Sequence, residues 1–149
     1  MVLFAGIGWL LFTKVMLFTQ VKGNEMFPAM KDGDLLIAFR LQQEYVKNDV
    51  VVYTVNGEQK TGRVMGRATD VIMMDDSGSL LVNGTVQTGE ILYPTYAKEG
   101  IEYPYIVPEE SVFILSDYRT RGIDSRDYDA IPLKDVKGKV ITILRRRGL

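Results

Sequence analysis

The sequence predicts an all-β domain of antiparallel sheets carried on an apolar N-terminal segment. Three observations predict it. Short runs rich in Val, Ile, Leu and Tyr recur between turn signals; Asn-Gly and Asp-Ser-Gly pairings sit between them at hairpin spacing; and beyond the N-terminus no apolar stripe repeats at helical period. A chain of 149 residues, 46% hydrophobic and 25% charged, suits one globular domain with an appendage. With 18 basic against 19 acidic residues the net charge is −1, which gives nucleic acid no electrostatic hold. The chain has no cysteine and no histidine. That excludes disulfides, thiol nucleophiles, thiolate zinc sites, imidazole bases and His-ligated metals. Hydrolytic chemistry would fall to carboxylates, Lys, Tyr, or a hydroxyl activated by one of them.

Residues 1–12 form an unbroken apolar run that holds Trp9; Thr13 and Lys14 interrupt it, and residues 15–18 resume it. Twelve helical residues rise about 18 Å, short of the roughly 20 residues that cross a hydrocarbon core. No basic lead and no small-residue cleavage site mark a signal peptide. No polar face appears either, as expected where lipid surrounds a helix. The reading is a membrane anchor over residues 1–18, its cytoplasmic start missing, with Lys14 at headgroup level, followed by a β domain over 19–149. The first strands fall at 35–39, after the turn at 31–34, and at 49–55. The second of these runs into Asn56-Gly57, a type I′ hairpin signal, and 63–65 lie on the return. Residues 71–74 and 80–82 flank a second turn at 76–78, and Asn83-Gly84 marks a third. Residues 89–108, with Tyr93, Tyr96, Tyr103 and Tyr105 among three prolines, read as a long tyrosine-rich loop of the kind that often carries function. Residues 112–115 and 139–144 supply the last strands. Arg145, Arg146 and Arg147 read as a solvated end, with attraction to anionic lipid or a partner as the alternative.

Three blocks carry a family resemblance. The first is VKGNEMFPAM at 21–30 followed by KDGD at 31–34, beside V-x-G-x-S-M-x-P-T-L…G-D. The second is NDVVVY at 48–53, then GRVMG at 62–66 and Asp70, beside G-D-V-V-V-x…K-R-V-x-G-x-x-G-D. The third is VPEE at 107–110, FILSDYR at 113–119, GIDSR at 122–126 and GKV at 138–140, beside V-P-x-x…F-x-L-G-D-N-R-x-x-S-x-D-S-R…G-K-V. In this order and spacing they resemble type I signal peptidases, membrane-bound Ser/Lys proteases that remove signal peptides. The resemblance implies antiparallel sheets forming a coiled, partly closed barrel. It also implies structural roles for Asp117, Arg119, Asp124, Ser125 and Arg126, beside the scaffold-like Gly23, Met26 and Pro28.

The departures fall on the chemistry that the resemblance implies. Glu25 stands where the family has its nucleophilic serine, Gly62 where it has its general-base lysine, and Gly122 where a further serine orients that lysine. Glycine cannot take a proton, and a glutamate attacking an amide would form an anhydride that collapses back. Its charge would also oppose a developing oxyanion. Lys60, two residues before Gly62, points to the same side of a strand about 6 to 7 Å along; it reads as a solvated lysine near the hairpin. A proton-sharing Glu25–Asp124 dyad competes with an Asp124–Arg126 ion pair, and the ion pair is the simpler reading. The acidic run at 124–129 lacks the glycine and closing glutamate of a calcium loop, so no metal and no cofactor is expected.

These residues lead to the expectation that the chain is not an enzyme. It reads as an inactive signal-peptidase-like protein anchored on the outer side of a Gram-positive-type membrane, an accessory or chaperone in the polymerisation of covalent pili. Expected partners are pilin subunits, a pilus sortase and the membrane, with self-association open. Val21, Met26, Phe27 and Pro28 are the candidates for a peptide groove, with Met26 and Phe27 as core residues the plainer reading. The alternative function is an active type I signal peptidase, or an unconventional peptidase that cleaves secreted preproteins through Glu25 or Lys60.

Overall fold

The computed structural model describes residues 2–88 and 93–145. Helix α1 (Val2–Val15) runs straight into strand β1 (Met16–Gln20). Its side chains are largely exposed, Trp9 at 66%. Among the described residues no helix is long and apolar enough to cross a membrane. Residues 16–18, read from sequence as more of the anchor, pair instead with β2 (Leu35–Phe39), Met16 opposite Phe39 and Gln20 opposite Leu35. The alternating burial of β2 places Leu36 and Ala38 in the core, which holds that register.

Strands β3 (Val50–Val55) and β4 (Glu58–Arg67) form the hairpin that Asn56-Gly57 signals. Their φ angles of 50° and 81° are what a type I′ turn needs, and these residue types reach them at least cost. Strands β5 (Val71–Met74), β6 (Leu80–Val82) and β7 (Thr85–Val86) follow as a meander, with Asn83-Gly84 turning the last pair. Then come β8 (Tyr105–Ile106), β9 (Ser111–Leu115), the single turn α2 (Ser125–Tyr128), β10 (Ile131–Pro132), a 3-10 turn at Leu133–Asp135 and β11 (Val136–Leu144).

Among the described residues all pairings are antiparallel and form two sheets: seven strands in the order β1-β2-β11-β3-β4-β9-β10, and four in the order β7-β6-β5-β8. The barrel expectation is corrected here. The larger sheet ends on β1 and β10, which do not pair with each other among the described residues, so it stays open. Register shifts in β4 between Val64 and Gly66, and twice in β11, are the bulges that bend such strands without closing a ring.

The core lies in three buried clusters. Tyr53, Val64 and Ile114 centre one, Ile72, Phe113 and Leu115 a second, and Met26, Met30, Leu36 and Val52 a third. Every residue of β9 is buried, with Ile114 in the first cluster and its neighbours in the second, so this strand is sandwiched between them. Part of the tyrosine-rich segment also belongs to the core, since Tyr103 and Tyr105 pack against the second cluster; residues 89–92 lie outside the described residues. Helix α2 escaped the sequence reading because it is one turn long. Asp124 caps it, and Asp127 completes a reciprocal capping box.

Candidate functional site

The segment from 21 to 34 is tied into a compact turn. Val21 N donates to Asp34 O, Gly23 N to Asp32 Oδ1 and Asp32 N to Asn24 Oδ1, while Met26 and Met30 plug the third core cluster. Gly23 sits at φ 81°, which a side chain would resist. The turn presents Glu25 to a groove of about 590 Å³ bordered by residues 19–22, 25–26 and 57–61. One wall is a strand edge. β3 covers β4 from Glu58 to Arg63 and β9 covers its other edge from Arg63 to Arg67, which leaves 58–62 open on that second edge among the described strands.

Two side-chain contacts cross the groove. Lys60 Nζ lies 3.2 Å from Glu25 Oε2, and Gln59 Nε2 donates to Thr19 Oγ1 at 2.6 Å. Lys60 also donates to Ile123 O at 3.1 Å and stands 5.8 Å from the centre of the Tyr128 ring. The expectation of a solvated lysine is therefore corrected: its side chain is 14% exposed, against 33% for Glu25. The physical reason is reach, since four methylenes carry the ammonium across to a carboxylate that the 21–34 turn places opposite. Beneath it the Tyr53 and Tyr128 hydroxyls make a short hydrogen bond, and burial pushes both phenols up from their ordinary value.

At Gly62 a Cβ would overlap Ile114 Cγ2 and press on the Tyr53 ring at 3.2 Å, so the strand passes close to the core there. At Gly122 a Cβ would overlap the side chain of Ser116. That serine occupies the space, and its hydroxyl donates to Asp124 Oδ2 at 3.0 Å. The signal was legible, because position 116 is glycine in the family pattern F-x-L-G-D and serine here.

Behind the groove a buried network joins the residues given structural roles. Asp124 and Arg126, each 1% exposed, meet through two bonds of 2.9 and 2.8 Å. Arg126 also donates to Arg119 O, and Arg119 to Ser116 O and Thr95 Oγ1. Burial raises the Asp124 carboxyl, yet the Arg126 bonds and charge, with the amides of Ser116 and Arg126, hold it below its ordinary value. Burial lowers Arg119 to about 10. Asp117 pairs bidentately with Arg63, and Ser125 Oγ accepts from Ile114 N. Asp124 is thus engaged by Arg126, not by Glu25. Of the four groove candidates, Val21 and Met26 border the groove, although Met26 is 2% exposed and mostly core. Phe27 packs against Tyr118, ring centres 6.1 Å apart, and Pro28 is exposed; neither borders the groove. Sequence reasoning missed Thr19, Gln59 and Lys98, whose ammonium bonds Gly122 O and Asp127. No cluster of acidic residues able to hold a metal occurs among the described residues.

The family described as signal peptidase, peptidase S26, matches residues 1–144. The mitochondrial inner membrane protease subunit 1 of Saccharomyces cerevisiae is 27% identical over 131 residues, covering 83% of this chain and 65% of that protein. Signal peptidase I of Bacillus licheniformis is 28% identical over 123 residues, covering 72% and 64%. The crystal structure of a signal peptidase I from Enterococcus faecalis superposes with a TM-score of 0.56 at 23% identity, covering 66% of this chain and 97% of that one, and shows the shared fold. The chain spans 36%, 65% and 64% of the length of the first three curated relatives. These matches overturn the expectation that the chain is not an enzyme, since the proteins it aligns with carry peptidase names. Nor is the groove bare of titratable groups, since Glu25 and Lys60 meet among the residues that border it. The chain belongs to the signal peptidase, peptidase S26, family.

Proposed function

We propose that the chain is a peptidase of secreted preproteins that holds an extended segment along the open edge of β4 and works through Glu25 and Lys60. One observation carries the reading: the two side chains meet at 3.2 Å in a groove walled by a strand edge that is uncovered among the described strands. Extended peptides dock on such edges by main-chain hydrogen bonds. Glu25 is unsuited to direct attack but suited to general-base work. It takes a proton from a water whose oxygen bonds to the scissile carbonyl carbon, and returns that proton to the amide nitrogen as the C–N bond breaks. Lys60 orients the carboxylate, and its ammonium faces the negative charge that gathers on the carbonyl oxygen.

The test is turnover of a fluorogenic signal-peptide analogue by the full chain in detergent. Glu25→Gln should lower kcat at least 100-fold with KM little changed, and Lys60→Met should lower it less. Turnover equal in all three proteins, or absent from all, refutes the assignment.

A second reading keeps the groove and gives it a segment of a pilin subunit, with a pilus sortase as co-partner in the assembly of covalent pili. Glu25 and Gly62, which stand where the family pattern has its nucleophilic serine and general-base lysine, favour it. A deletion strain that still builds high-molecular-weight pilus polymers would refute it. In both readings α1 belongs to an anchor segment that ends where β1 begins, with the β domain from Met16 onward on the extracytoplasmic side. The exposed apolar surface of α1 supports this.

A further inference from the structure

A row of rings lies beside Glu25 that neither reading uses. Tyr118 stacks on Tyr93 at 4.4 Å with planes 3° apart, and Phe27 continues the row 6.1 Å from Tyr118. Each ring is half-buried and keeps part of its surface in water. Two cations flank the row: Lys31 Nζ is 6.0 Å from the centre of the end ring, Phe27, and Arg121 Cζ is 5.8 Å from that of the central ring, Tyr118. Both cations are exposed, and neither has a carboxylate partner among the described residues. The row is tied to the groove by backbone, since Tyr118 N donates to Glu25 O at 2.8 Å and Phe27 lies two residues beyond Glu25. The resemblance has asparagine at the position of Tyr118, so this ring departs from that pattern.

We propose that the Phe27–Tyr118–Tyr93 row, with Lys31 and Arg121, is a second recognition site for the groove's peptide. It takes the part of the ligand that continues past Glu25, where that part carries an aromatic or prolyl ring beside a carboxylate. The geometry suits such a segment. Side chains two apart on an extended chain are separated by about 6.6 Å, close to the 5.8 and 6.0 Å between each cation and its ring, so a ligand ring on the row places a neighbouring carboxylate over a cation. Two cations along the row, each without a carboxylate partner among the described residues, favour an acidic over a basic segment. The proposal rests on the groove binding peptide, and the test separates the two.

Three peptides share one apolar ten-residue core and differ in a four-residue extension: Asp-Tyr-Asp-Pro, Ser-Gly-Ser-Gly, or Lys-Tyr-Lys-Pro. A fourth peptide carries the acidic extension alone. Affinity for the full chain is read by fluorescence anisotropy at low and high salt. The acidic aromatic extension should bind about tenfold tighter than the Ser-Gly one, and the basic extension no better than Ser-Gly. Tyr118→Asn and Arg121→Gln should each erase most of that gain, confirmed as folded by unchanged thermal melts, and leave the Ser-Gly peptide unaffected. Equal affinity of all three extensions overturns the proposal. If the core contributes nothing while the acidic extension still binds alone and loses binding in Tyr118→Asn, the row stands and the groove reading falls. Binding by neither overturns both. A gain that survives in both variants means the extension docks elsewhere, which also overturns the proposal.

Discussion

Exchanging the residues at 116 and 122 tests whether one hydroxyl has moved between two sites that share a single space. Ser116 is 2% exposed and donates to Asp124 at 3.0 Å. Ser116→Gly removes a hydrogen bond to a buried charge, a loss of about 1.5–3 kcal/mol. Gly122→Ser places a side chain where Ser116 already stands, with Tyr118 O at 3.2 Å behind it, so the new atoms cannot retreat. Overpacking of this kind costs about 1–3 kcal/mol. In the double variant the clash has gone and a hydroxyl again fills the gap, so stability should return to within about 1.5 kcal/mol of the native chain. At roughly 2–4 °C per kcal/mol for this size, each single change lowers Tm by about 2–12 °C and the pair by no more than about 6 °C. Urea and thermal unfolding followed by far-UV circular dichroism reads this, because the single tryptophan lies in α1 and reports poorly on the core. Effects of the two single changes that add within about 0.5 kcal/mol would refute the shared-space argument.

Other outcomes follow from the buried network. Asp124→Ala leaves Arg126 charged and unpaired at 1% exposure and should cost about 3–5 kcal/mol, measured by urea unfolding. By contrast Lys139→Ala, which breaks the pair with Asp49 from a side chain 35% exposed, should cost no more than about 1 kcal/mol. Because folding holds the Asp124 carboxyl below its ordinary value, its contribution is complete above about pH 4 and is lost as pH falls through the folded value. A melt series from pH 6 to pH 2.5 should therefore fall less steeply in Asp124→Asn than in the native chain. Tyr103 carries a buried hydroxyl with no partner among the described residues, and burial pushes it up to about 12. Tyr103→Phe should raise stability by about 1 kcal/mol, read as a higher urea midpoint with unchanged slope.

Much of the fold was legible because local chemistry decides it. Asn56-Gly57 and Asn83-Gly84 need positive φ and carry the residues that tolerate it, so those hairpins stand where the sequence places them. Openness of the sheet was not legible, since bulges at Val64–Gly66 and along β11 leave no mark in residue type. The site divides the same way. Asp124 and Arg126 lie two residues apart, and their pairing follows from proximity. Lys60 and Glu25 are brought together by the 21–34 turn packing across β4, a long-range contact that strand periodicity does not report. Reading Lys60 by its place in a strand gave its direction and missed the length of its arm.

The seam between α1 and β1 makes the groove part of a ruler. No residue separates the helix from the strand; Arg40 N and Nη1 bond Val15 O and Thr13 O across the junction, and Thr19 of the same strand already borders the groove. Four strand residues, about 14 Å, fix the height of the groove above the helix end. Were α1 held at a fixed level, its end would set which stretch of a bound chain could reach Glu25. Lengthening β1 by two residues would move that point by about 7 Å while keeping every side chain on its original face.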